Sequence, residues 1–82
     1  MITTTNEIYA FVELAIRRCH EHGCDDIAQQ LDDAMHLGSL GMEILGAIKA
    51  VFVSQFVLLK NVVEKAKIEE VIAYADKAFG LR

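Results

Sequence analysis

Apolar residues recur along this chain at the three-to-four-residue spacing of helices. Ile8, Phe11, Val12, Ala15, Ile16 and Cys19 make the first such face. Thr4, followed three residues later by Glu7, is a capping box, in which two side chains satisfy the first free amides of a helix. Gly23 suits the left-handed residue that ends one. Together they predict a first helix from about Asn6 to His22. Ile27, Leu31, Ala34 and Met35 line a second, from Asp25 to about Leu37. Asp25 and Asp26 sit at its positive end, and Gly38 closes it.

The third segment differs. Ser39 is a candidate N-cap, and the apolar pattern runs from there to about Leu59. Leu45, Ile48, Phe52, Phe56, Leu59 and Val63 form one seam. Ile44, Val51, Leu58 and Val62 form a second, and Gly46, Ala50, Val53 and Val57 a third. The polar positions Glu43, Lys49, Gln55 and Lys60 do not gather on one side. A helix that is apolar all round is buried all round. Val51-Phe52-Val53 has strand propensity, but the sequence offers no second strand to pair with it. Asn61 with Glu64 repeats the cap pattern, so a break is expected there, followed by a fourth helix from about Val62 to Phe79 with Ile68, Val71, Ile72, Ala75 and Phe79 inward. The competing reading is one long helix from Ser39 to Phe79. No proline interrupts any of these segments. The expectation is all-α: a compact four-helix bundle over residues 1–82, one domain, with helix three long and apolar on all faces.

Composition sharpens the question of what covers helix three. The chain has 82 residues, and 54% are hydrophobic even with glycine left out of the count. Average domains carry about 45–50% apolar residues, and small domains have proportionally more surface to keep polar. The surplus predicts a partner: a second copy, another protein or an apolar ligand. The stretch from Ile44 to Leu59 is shorter than the ~20 residues of a membrane span and contains Lys49. Met1 leads into Thr3-Thr4-Thr5-Asn6 with no cationic start, so no leader and a cytoplasmic location are expected. Net charge is −4, and the basic residues are scattered or paired (Arg17-Arg18, Lys60, Lys65, Lys67). Nucleic acid, which needs a clustered cationic face, is not an expected partner.

Three constellations have candidate chemistry. Cys19-His20-Glu21-His22-Gly23-Cys24 contains zinc-ligand residue types, but four ligands within six residues of a helix end converge only if that end unwinds. The expectation is no metal: Cys19 inward, both histidines exposed near a helix C-terminus, Cys24 in a turn. A reversible Cys19–Cys24 disulfide is the alternative. Asp25, Asp26, Asp32 and Asp33 make an acidic face on helix two, solvated or a docking surface for a basic partner; they lack the alternating oxygens and glycine of a calcium loop. Ser39-Leu40 at the start of a helix is loosely similar to the Asp-Ser-Leu motif of acyl and peptidyl carrier proteins. Such carriers are acidic, four-helical and of about this length, and on that likeness Ser39 would accept the prosthetic group. Gly38 stands where those carriers have aspartate, and the helix after Ser39 has no acidic face.

No nucleophile–base pair and no glycine-rich phosphate loop is visible. The sequence therefore points to a non-enzymatic helical protein-interaction module with no cofactor. An acidic inhibitor, a toxin-neutralising protein or a regulatory adaptor fits that profile. Its self-association would run through Gly46, Ala50, Val53 and Val57, as a homodimer. The alternatives are a carrier-like protein modified at Ser39 and a bundle that binds a small apolar ligand.

Overall fold

A computed structural model of the chain describes residues 2–37 and 41–80. Five helical segments follow one another: α1 Thr5–Glu21, α2 Asp25–Met35, α3 Gly41–Ser54, α4 Phe56–Leu59 and α5 Lys65–Ala78. No strand occurs among the described residues. The radius of gyration is 11.6 Å, against roughly 11.7 Å for a compact domain of this length. A closed core therefore forms within one copy.

α1 starts as its sequence requires. Thr4 is the N-cap in extended conformation, and its hydroxyl oxygen accepts from the Glu7 amide at 3.3 Å. The Glu7 carboxylate reaches one residue further back than a strict box. It accepts from the Thr3 amide at 3.2 Å and the Thr3 hydroxyl at 2.9 Å. These bonds hold the Glu7 carboxyl below its ordinary range, the Thr3 hydroxyl contributing most. Gly23, at φ +78°, ends the helix. The Cys24 amide donates to the Cys19 carbonyl at 2.7 Å and the Gly23 amide to the His20 carbonyl at 3.4 Å, the paired bonds of a Schellman motif. α2 follows at once, with Cys24 as its N-cap.

α3 is the helix around which the others assemble: α2 and α5 both pack on it. Leu45, Ile48 and Phe52 point to the core, and the Phe52 ring stacks on Phe11 of α1 at a centroid distance of 5.7 Å. Two of the scattered polar positions find their reason here. Lys49 is ion-paired with Asp76 on α5, and Gln55, just past the end of α3, donates to Gln30 on α2 at 3.5 Å. Glu43 and Lys60 are exposed. Helix three is accordingly not apolar and buried on all sides: Glu43, Ala50, Val53 and Ser54 are exposed.

Three boundaries differ from the pattern-based reading. The third helix ends at Ser54 rather than Leu59, because Gln55 leaves helical geometry (φ −110°, ψ 21°) and α4 adds a single further turn. The chain does break near Asn61, but Asn61 is not a cap. Its side-chain amide donates backward to the Val57 carbonyl at 3.2 Å. Val62 and Val63 are both buried in the connection, and α5 starts only at Lys65, with Glu64 extended before it as the N-cap. α2 also stops early, at Met35, with His36 as its C-cap. Gly38, the expected terminator, and Ser39, the expected N-cap, lie outside the described residues.

The N-terminal segment does more than cap. Ile2 is buried, and its amide donates to Glu70 on α5 at 2.7 Å. Thr5 and Tyr74 share a hydroxyl–hydroxyl bond of 3.2 Å. The Ile2 amide is the main cause of the lowered Glu70 pKa. This strap closes the bundle between the chain's two ends.

Thr4→Ala should cost about 1 kcal/mol of unfolding free energy, measured by urea denaturation. Glu7→Gln should be destabilising at neutral pH. A carboxyl whose folded pKa is depressed contributes above its unfolded pKa and loses that contribution as pH falls through the folded one. The gap between wild type and Glu7→Gln should therefore close in acid below the ordinary carboxylate range. A gap that persists at low pH would mean the charge is not what stabilises the cap.

Candidate functional site

At 100° per residue, Met42, Gly46, Ala50, Val53 and Val57 fall within an arc of about 80° on one side of the α3–α4 rod. The rod remains continuous enough to keep them in line: the Gln55 amide donates to Val51 at 2.8 Å and the Leu59 amide to Gln55 at 2.9 Å. This is the side turned away from the Leu45–Ile48–Phe52 face. Its exposures are those of an uncovered surface: Met42 44%, Val53 54% and Val57 67%. The strip holds no charge. Lys49, neutralised by Asp76, borders it on one side, and Glu43 and Ser54 border it on the other.

One end of the strip is already covered. A methyl group placed on Gly46 would lie 3.1 Å from Cζ of Phe79. Phe79 was expected inside the bundle; it is instead the C-cap of α5, laid across the Gly46 backbone and 40% exposed. The space above Gly46 is thus taken by the chain's own ring, which carries the apolar surface sideways onto α5. Ala50, Val53 and Val57 remain open. Met42 and Phe79 were not among the expected interface residues. Met42 lies one turn before Gly46 and could have been found by extending the stripe; Phe79 could not, since only the packing of α5 brings it there.

The acidic residues of α2 are all exposed, and three of the four have side-chain partners. Asp25 accepts from His20 Nδ1 at 2.8 Å across the α1–α2 corner. Asp33 accepts from Gln29 at 2.8 Å. His36 Nδ1 lies 3.7 Å from the Asp32 carboxylate. Asp26 lies beside them on the outer face of the same helix. Cys19 is buried and Cys24 half-buried, both as free thiols. Burial, and then the nearby Cys24, push the Cys19 thiol pKa up. Among the described residues, no group of three or more His, Cys, Asp or Glu is placed to hold a metal ion. None of their helices is long and apolar enough to cross a membrane. A half-open cleft of about 470 Å³ lies between Ile2-Thr3 and α5, walled by Ala73, Tyr74 and Lys77. Ser39, the residue at issue in the carrier likeness, is outside the described residues.

Gly46 costs a helix about 1 kcal/mol relative to alanine, and an added methyl there would press on the Phe79 ring. Gly46→Ala should therefore stabilise by about 1 kcal/mol when Phe79 is also alanine, and by clearly less in the wild-type background. A thermal double-mutant cycle reads the difference; equal effects in both backgrounds would separate the two residues. Compared with protein-family models, curated proteins and solved structures, the chain matches none.

Proposed function

We propose that this chain is a non-enzymatic helical interaction module that pairs with a second copy of itself through the outer strip of α3 and α4. The observation that carries this reading is the strip itself. Met42, Ala50, Val53 and Val57 form an uncharged apolar band that no helix of the same chain covers, flanked by Phe79 over Gly46. Monomeric proteins avoid contiguous exposed apolar patches of this kind. From Met42 to Val57 the band is about 22 Å long at helical rise, the length of a helix–helix contact.

A second copy suits it better than a charged partner would. The chain carries a net charge of −4, so most faces of two copies repel each other, and the acidic face of α2 is the worst placed to meet itself. The strip is the neutral exception. A two-fold arrangement brings it against its own image and leaves both α2 faces in water, where they stay available to a basic partner. Because each copy has a closed core, the pair should be dissociable rather than obligate. Regulatory, inhibitory or adaptor roles use interfaces of that type.

Light scattering after size exclusion, run over a concentration series, tests the proposal. Wild type should shift from monomer toward dimer with concentration, and its Tm should rise in step. Val53→Asp should keep its helical circular dichroism, stay monomeric and lose the concentration dependence. Val57→Asp should do the same. Phe52→Asp buries an unpaired charge against a total stability of roughly 4–12 kcal/mol for this length, and should not fold. A wild type that remains monomeric at high micromolar concentration would sink the homodimer.

A further inference from the structure

We infer that Cys19 and Cys24 form a dithiol site at the α1–α2 corner, which low-molecular-weight disulfides oxidise to an internal disulfide. The geometry comes from the cap that ends α1. In a Schellman motif the residue after the left-handed glycine is drawn back over the third residue from the helix end, and a contact between those two side chains frequently accompanies the motif. Here the glycine is Gly23, and the two residues are Cys24 and Cys19. With standard backbone bond lengths, the 2.7 Å bond from the Cys24 amide to the Cys19 carbonyl keeps the two Cα atoms within about 6.6 Å, inside the roughly 4.4–6.8 Å that disulfides span. Cys19 is a core residue and Cys24 packs against the edge of that core, its thiol donating to the His22 carbonyl at 3.9 Å. The influence of Cys24 on the Cys19 thiol is a second sign that they are neighbours.

The two thiols differ in access, which sets the order of reaction. Cys19 is fully buried, while Cys24 is half-buried. The Cys24 thiolate attacks one sulfur of the small disulfide; a mixed disulfide forms and one small thiolate leaves. Cys19 then releases its proton to solvent, and its thiolate attacks the Cys24 sulfur, expelling the second small thiolate. Two protein thiols lose two electrons and become one disulfide; the small disulfide gains them and becomes two thiols. The new bond would join the last turn of α1 to the N-cap of α2, across the corner already spanned by the His20–Asp25 bond. The inference stands independently of self-pairing through α3.

Folded protein equilibrated with mixtures of reduced and oxidised glutathione, quenched by alkylation and weighed intact, provides the test. Wild type should lose two hydrogens and retain no glutathione. Cys19→Ala should trap one glutathione on Cys24, and Cys24→Ser should stay unmodified because its remaining thiol is buried. The oxidised wild type should also melt above the reduced form, since a disulfide that fits the native corner stabilises it. That comparison does not depend on either variant folding. A wild type that ends with glutathione on Cys24, that crosslinks between chains, or that melts lower when oxidised would overturn the inference.

Discussion

Phe52 stacked on Phe11 is the contact on which the arrangement depends. It ties the middle of α3 to α1, and with Leu45 and Ile48 it fixes which side of α3 faces inward. Once that side is set, the two flanks are set as well. α2 meets one and α5 the other, each with a polar link: Gln30 to Gln55 just past the end of α3, and Asp76 to Lys49 within it. Three sides of the central helix are then occupied. None of the described helices covers the fourth, and the strip from Met42 to Val57 is what remains.

The chain's high apolar content has the same origin. The core alone takes up residues from every helix and from Ile2, and leaves a surface of 5020 Å², close to the roughly 4,900 Å² expected of a compact monomer of this mass. The surplus is therefore not a sign of an incomplete fold. Met42, Val53 and Val57 gather part of it along one side of α3 and α4, a candidate interface, while Leu37, Leu58 and Phe79 are exposed elsewhere. Phe79 limits that face from within, by covering the one glycine where a foreign backbone could have come closest.

The α1–α2 corner shows how several demands can be met by few residues. Gly23 supplies the left-handed turn, and Cys24 closes the Schellman bond behind it and caps α2 ahead of it. Asp25 sits at the positive end of α2 and also accepts from His20. The histidines and cysteines cluster in sequence because the corner is tight; the same tightness sends Cys19 inward and His20 and His22 outward.

Local chemistry along the sequence determined the all-helical class, the start of α1 at Thr4, its end at Gly23 and the inward faces of α1, α2 and α5. Those features depend on side-chain spacing and on bonds between residues a few positions apart, so the sequence contains all their terms. It also singled out Ala50, Val53 and Val57, since their shared stripe follows from helical periodicity alone. Only the tertiary structure decided what each stripe of α3 meets and how far the outer one stays open. The core seam Leu45–Ile48–Phe52 and the strip Ala50–Val53–Val57 are both apolar, and their difference lies in which of them meets Phe11. The break at Gln55, the burial of Val62 and Val63, the strap from Ile2 to Glu70 and the seat of Phe79 on Gly46 belong to the same class. Each joins residues distant in sequence or trades local helix geometry for core burial, and such choices are made by the packed chain as a whole.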